Sequence, residues 1–334
     1  MQAERVNQLI GNTPLIRLHS VSDRARGIQV FGKFEAANPG FSVKDRSALQ
    51  LLEQAVKDHH IKEGWTIVES TSGNMGHALA MLCAVFKLRF ICVLDPKTPK
   101  SNVNLVKAYG GEVEMVLTPD ETGSFQKKRI ERAKAMAAQI DRCINLDQYN
   151  NPAAVDAHFL TTAPEIDLDM NGQVDVVIGA ASTGSHLSGI AKYFKQRSDD
   201  VLIVGVEPVG SVVFGGEYKP FLQNGTGLSF KPGNILTEYV DEVLRVSDHD
   251  AFLTCRQIAV AEGLLLGGSS GSVIHAAKQL ARRATASLNI VVVLPDSGMK
   301  YLDTVYDDQW LINHGLGSVL DALCAENLEV SEVF

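Results

Sequence analysis

Lys44 stands where a turn gives way to a helix. Asn38-Pro39-Gly40 precedes it as a turn signal, and Ala48, Leu49, Leu52, Ala55 and Val56 follow with helical periodicity. At a helix N-terminus the dipole disfavours an ammonium, which would lower the lysine pKa and give a neutral, nucleophilic amine. An ordinary surface lysine is the competing reading. Ser70-Thr71-Ser72-Gly73-Asn74-Met75-Gly76 forms a second junction, from the strand pattern Thr66–Glu69 into a helical pattern from His77 onward. Unpaired N–H groups there, with three hydroxyls and an amide, would hold an anion such as a carboxylate. The same residue types also serve as helix N-caps. Ser182, Thr183, Gly184, Ser185 and His186 likewise separate an apolar strand from a helix. This loop lacks both G-x-G-x-x-G and the Gly-Lys-Ser/Thr of a P-loop, so it suits a small phosphate monoester better than a dinucleotide or nucleoside triphosphate. Around Ser269, the glycines of residues 262–272 would let backbone approach a flat ligand, with serine offering a neutral hydrogen bond.

The elements that must position these loops alternate along the chain. Strands are expected at Thr66–Glu69, Phe90–Leu94, Glu112–Val116, Val174–Gly179, Leu202–Glu207, Val243–Val246 and Asn289–Leu294. Helices are expected at Lys44–Lys57, Met75–Phe86, Ser101–Tyr109, Phe125–Ile140, Gly184–Lys195, Ala251–Glu262 and Gly271–Arg283. Several strands are almost wholly apolar, as befits strands covered on both faces, so the class is α/β with parallel sheets. Ligands in such folds sit at the carboxyl ends of strands, where the four loops lie. The loop at 145–152 marks a boundary between two blocks. Gly215–Asn234, glycine-containing and aromatic-bearing, is either the rim of a site or an irregular surface loop.

At 334 residues, 45% hydrophobic, the chain is long enough for a large core in two domains. A net charge of −8 argues against a nucleic-acid surface, and Lys127-Lys128-Arg129 and Arg282-Arg283 read as solvated helix faces. No apolar run has the length of a transmembrane helix, and the first residues lack a signal-peptide core. Five cysteines without C-x-x-C pairing suggest buried thiols in a reducing compartment, and no Cys/His cluster has metal spacing. A cytoplasmic location without membrane or nucleic-acid partners is the expectation.

These segments together resemble the cysteine synthase and cystathionine β-synthase family of pyridoxal-phosphate enzymes. Gly11-Asn12-Thr13-Pro14-Leu15 is similar to its N-terminal signature, residues 38–46 to its lysine segment, and Ser72–Gly76 to its substrate-carboxylate loop. Residues 267–272 and 294–301 are similar to its C-terminal elements, in the same order along the chain. The resemblance implies fold type II, the tryptophan-synthase-β-like fold. It implies a larger cofactor-anchoring domain of residues 1–36 and 150–334, and a smaller mobile one of 37–149. Pyridoxal 5'-phosphate would be the cofactor and small amino acids the substrates, in a homodimer. By the same resemblance Lys44 would form the internal Schiff base and move the substrate Cα proton. Asn74 would bond the ring hydroxyl, and Thr71, Ser72 and Gln148 would hold the substrate carboxylate beside Met75. Ser182, Thr183, Gly184, Ser185 and His186 would hold the phosphate, while Ser269 would face the pyridine nitrogen with Asp296 and Tyr301 in support. Serine, unlike a carboxylate, does not keep that nitrogen protonated, which favours loss of a β-substituent through an aminoacrylate.

The chain departs from ordinary cysteine synthases at Phe41, Met75 and Ser182–His186. With Glu69–Asn74, Asp95-Pro96-Lys97 and Gly210–Gly215, these departures resemble a narrower branch, the N-(2-amino-2-carboxyethyl)-L-glutamate synthases of 2,3-diaminopropionate and siderophore biosynthesis. That resemblance implies joining of O-phospho-L-serine to L-glutamate with release of phosphate. Lys97, Lys100 and Arg46 are the basic residues considered for the second substrate or leaving group. A cysteine or cystathionine synthase, a serine/threonine dehydratase and a catalytically silent regulator are the alternatives.

Overall fold

The computed structural model describes residues 3–121 and 123–331. Its strands gather into two sheets. The larger contains β1 (Leu15–Arg17) and β2 (Ile28–Phe34) from the start of the chain. The smaller contains β3 (Thr66–Ser70), β4 (Arg89–Leu94), β5 (Glu112–Met115) and β6 (Cys143–Asn145). β7 (Val176–Ala180), β8 (Leu202–Pro208), β9 (Glu242–Val246) and β10 (Leu288–Leu294) complete the larger one. Its order is β1-β2-β10-β7-β8-β9, and that of the smaller sheet is β5-β4-β3-β6. Every pairing is parallel except that of β1 with β2.

Helices cover both faces of each sheet, which is why the strands read as apolar runs. In β3, Ile67 packs with α1 (Lys44–His59) and α2 (Asn74–Phe86), whereas its neighbour Val68 packs on the opposite face. α3 (Lys100–Ala108) joins the first face through Val106, and α4 (Gln126–Gln139) supplies Ala133 and Met136 to the second. α5 (Ala153–Ala157), a π-helical turn at His158–Thr162 and α6 (Ala163–Asp169) lead back to the larger sheet. α7 (Ser185–Arg197), α8 (Asp248–Glu262), α9 (Gly268–Arg283), α10 (Asp308–Asn313) and α11 (Ser318–Ser331) follow.

Each expected strand and helix is present, with ends shifted by up to three residues. The sequence reading missed β1, β2, β6, α5, α6, α10 and α11. β2 escapes because its apolar pattern is interrupted by Lys33, which is fully buried between Glu165 at 3.0 Å and Asp169 at 3.1 Å. β1 and β6 have only three residues each, too short for periodicity to register. The expected reason for glycine around Ser269 also needs correction. A Cβ at Gly271 would strike Ala251 and Cys255 of α8, and one at Gly267 would strike Asp296 and Tyr301. These glycines allow close approach of protein to protein. The thiol expectation is corrected as well: Cys83, Cys92 and Cys255 are buried, Cys143 is half-buried and Cys324 is exposed. Among the described residues no helix is long and apolar enough to cross a membrane.

Candidate functional site

The carboxyl ends of both sheets face one cleft of about 370 Å³. β3 delivers Thr71, Ser72, Asn74 and Met75 to its wall, β6 leads to Gln148, and β7 leads to Ser182 and Thr183. Lys44 joins them from the first turn of α1. Its segment is zipped to the loop leaving β10: Val43 N–H donates to Pro295 O at 2.8 Å, and Ser42 bridges Asp296. The other side of that loop pairs with the approach to α9, through Leu266 with Ser297 and through Gly298 N–H to Leu265 O at 2.8 Å. Thus the loop at Asp296 holds the start of α1 and the start of α9, hence Lys44 and Ser269, on its two sides.

Four helices, α1, α2, α7 and α9, begin at these loops, and none has a side-chain N-cap. α8 and α10 are capped by Ser247 and Asp307, whereas α3, α4, α5 and α6 also start without a side-chain cap. The N-cap alternative for residues 70–76 is therefore not realised. Thr71 Oγ1 instead accepts the Gly73 N–H at 3.4 Å within the loop, and the Ser70 hydroxyl is buried without a partner among the described residues. Gln148 donates through Nε2 to Ser70 O at 2.9 Å, so a second amide hydrogen is left for an anion in the cleft. Beneath the loop, Glu69 accepts from the Ser70 N–H at 2.9 Å, and burial pushes its carboxyl up to about 8.

Lys44 opens on the cleft, and burial draws its ammonium down to about 8 while Asp296 pulls the other way. The lowering expected from sequence is present, but desolvation is its largest cause, rather than the helix dipole. Asn74 donates through Nδ2 to Asp296 Oδ2 at 2.7 Å and accepts at Oδ1 from Lys300 Nζ at 2.6 Å. Tyr301 OH donates to the same Asp296 oxygen at 2.6 Å, and burial raises the Asp296 pKa.

Not every expected residue lines the open cleft. Gly184, Ser185, His186 and Ser269 are buried in the surrounding protein. Gly184 has φ +89°, and a Cβ there would lie 2.7 Å from the backbone of Asn234, so the loop after β7 requires glycine. His186 Nε2 has no partner among the described residues, and the ring stands edge-on to His158 at 6.1 Å; burial and then Lys44 draw its pKa down to about 3, leaving a neutral ring. Of the basic residues considered, Lys97 lines the cleft. Arg46 is buried in an ion-pair network with Glu35 and Glu165 and borders a different groove. Lys100 is exposed.

The sequence reading missed Arg129, which it grouped with solvated lysines. Arg129 is 4% exposed, in the first turn of α4, and lines the cleft. Its Nη1 lies 3.2 Å from Asp95 Oδ2 without the direction of a hydrogen bond, and its Nε has no acceptor among the described residues. The helical spacing to Ala133 and Met136, both buried, was the signal available. Residues 218–228 also border the cleft through Tyr218, Phe221 and Thr226, which makes Gly215–Asn234 a rim.

Residues 6–296 match the family described as pyridoxal-phosphate dependent enzyme. Two curated relatives are named N-(2-amino-2-carboxyethyl)-L-glutamate synthase. That of Ralstonia nicotianae is 38% identical over 93% of this chain and 92% of its own length. That of Cupriavidus metallidurans is 37% identical over the same shares. Among solved structures, O-ureido-L-serine synthase superposes with TM-score 0.86 at 32% identity, over 93% of this chain and 100% of that one. A hydrogen sulfide-producing enzyme from Fusobacterium nucleatum superposes with TM-score 0.83 at 35% identity, over 90% and 100%. The uncapped start of α7 fits a phosphate, and the desolvated lysine fits an aldehyde partner. In fold, in cofactor and over nearly its whole length, the chain belongs to the pyridoxal-phosphate-dependent enzymes of fold type II.

Proposed function

We propose that this enzyme carries out β-replacement, joining O-phospho-L-serine to the amino group of L-glutamate and releasing phosphate. The observation that carries the phosphate assignment is Arg129. A guanidinium in a cleft-lining residue, ion-paired with Asp95 but with buried Nε and Nη1 that make no hydrogen bond among the described residues, suits an incoming dianion, which accepts several charge-assisted hydrogen bonds once the side chain turns to it. An acetyl or plain hydroxyl leaving group would leave those donors unmatched. The names of the two curated relatives give a joined product, N-(2-amino-2-carboxyethyl)-L-glutamate, which supports glutamate as the acceptor.

When bound, pyridoxal 5'-phosphate supplies the electron sink that lets a Cα–H bond break. The chain's residues would divide the remaining work. Backbone and hydroxyls of Ser182, Thr183, Gly184 and Ser185, with His186 behind them, would hold the cofactor phosphate at the start of α7. Asn74 would meet the ring oxygen, and Ser269 would meet the ring nitrogen as a neutral partner. Thr71, Ser72 and the spare Gln148 amide hydrogen would clamp the substrate carboxylate, with Met75 closing that side. Lys44 Nζ would link to the cofactor and then take the Cα proton; an amine poised at about 8 is matched to accept and return a proton near neutrality.

The residue ranges of the two sheets support a division into 1–36 with 150–334 and a smaller, mobile 37–149. A cytoplasmic homodimer belongs to the same proposal on the strength of the family resemblance, and light scattering on the purified chain tests its stoichiometry. The chemical proposal is tested by product mass spectrometry with paired substrates. O-phosphoserine with glutamate should yield phosphate and the joined amino acid. Faster turnover of O-acetylserine with sulfide would assign a cysteine synthase instead. Ammonia and a keto acid without need of a nucleophile would assign a dehydratase, and no turnover with any pair would assign a silent regulator.

A further inference from the structure

Lys300 lines the cleft with Lys44 and Lys97, and its contacts bear on Asn74. Its Nζ lies 2.6 Å from Asn74 Oδ1 and 3.2 Å from Gly40 O. An ammonium only donates, so the Asn74 oxygen must face it. At the other end of the amide, Nδ2 meets Asp296 Oδ2 at 2.7 Å, an oxygen that already accepts from Tyr301. Flipping the amide would set its oxygen against a carboxylate oxygen and its NH2 against an ammonium. Both contacts would be repulsive, so the network fixes the amide's polarity from two sides. One Nδ2 hydrogen is spent on Asp296, and the second lies within reach of the Tyr301 oxygen, from which a ring oxygen would have to draw it. Gly40 belongs to the turn that leads into Lys44 and is tied to Asp45 by its own N–H. The same ammonium therefore joins the turn carrying the lysine to the helix start carrying the amide.

We propose that Lys300 is a positioning residue that acts through Asn74, holding the amide with its nitrogen presented to the cofactor's ring oxygen and the Gly40 turn against the start of α2. The inference rests on the placement of Asn74 beside that oxygen given above. A residue that fixes a donor toward the ring oxygen governs where the ring's proton rests, and the visible absorbance of the bound cofactor reports this directly.

The test compares the cofactor-loaded parent with Lys300→Met, Lys300→Arg, Asn74→Ala and the double variant Lys300→Met/Asn74→Ala. Absorbance spectra and cofactor dissociation constants are measured on each, with circular dichroism to verify folding. Lys300→Met should shift the absorbance band and weaken cofactor binding by about tenfold, the scale of one hydrogen bond to a charged group. Lys300→Arg, a donor-only cation, should restore the parental spectrum. In the Asn74→Ala background, Lys300→Met should add less than about threefold, because its effect passes through the missing amide. A parental spectrum and affinity in Lys300→Met would overturn the inference, as would additive losses in the double variant. Should Lys300→Met fail to fold, Lys300→Gln takes its place, since a glutamine can accept as well as donate and so releases the amide polarity; it must show the same shift. If Asn74→Ala leaves the spectrum unchanged, the placement of Asn74 itself has failed. If Asn74→Ala shifts it and Lys300→Met does not, only the role of Lys300 has failed.

Discussion

Replacing Arg129 by glutamine removes the charge proposed to select a phosphorylated substrate while keeping a polar side chain of similar reach. In the free protein, Nε and Nη1 form no hydrogen bond among the described residues. A hydrogen bond from a charged donor contributes about 1.5–3 kcal/mol. Losing two such bonds to the phosphate, partly replaced by water, should cost at least about 3 kcal/mol of transition-state stabilisation, or roughly a hundredfold in kcat/KM. Asp95, itself buried, would be left unpaired, and breaking a buried pair costs about 3–5 kcal/mol of stability. The assay should therefore also use Asp95→Asn/Arg129→Gln, in which no lone buried charge remains. Steady-state phosphate release with glutamate as acceptor gives kcat/KM for O-phosphoserine, and O-acetylserine serves as the uncharged comparison. A loss of roughly a hundredfold confined to O-phosphoserine is expected in both variants. Equal losses for the two donors, or no loss for either, would refute selection by Arg129.

Other consequences follow from the buried groups. Lys44→Ala should lower turnover by about 10²- to 10⁴-fold, as loss of a general base does; full turnover in this variant would exclude the proposed mechanism. Cofactor uptake by the stripped protein requires a neutral amine, so its rate should rise with pH and level off above about 8, where Lys44 deprotonates; stopped-flow absorbance reads this. Glu69 is held at about 8 by burial, above its ordinary value of 4.5. The folded chain thus keeps a proton that the unfolded chain releases, so this contribution is present below 4.5 and is lost as pH rises towards about 8. Urea melts across that window should show Glu69→Gln with a flatter pH dependence than the parent. Gly184→Ala should weaken cofactor retention, because the loop after β7 must move away from Asn234 to admit a Cβ; equilibrium dialysis measures the loss.

Much of the site was legible because its residues fall at junctions. Where an apolar strand such as residues 176–180 meets Ser182-Thr183-Gly184, local chemistry and fold topology point to the same place. Thr71, Ser72, Asn74 and Lys44 were visible on the same grounds, each beside the first turn of a helix. Residues whose roles depend on tertiary placement were harder to read. Arg129 follows two exposed lysines, and only the packing of α4 against β3 turns it inward. Lys33 interrupts an apolar strand because its carboxylate partners arrive from α6, over a hundred residues away. Lys300 carries no local signal at all; its meaning comes from Asn74 and Gly40, which the chain brings to it from the other end.

Lys44 is the proposed point of attachment for the cofactor, and the cleft contains Lys97 and Lys300 as rivals. Borohydride reduction of the cofactor-loaded protein, followed by peptide mapping by mass spectrometry, tests this most directly. The expected result is a single modified peptide with the pyridoxyl group on Lys44. Modification of Lys97 or Lys300 instead, or a protein from which the cofactor remains fully removable after reduction, would contradict it.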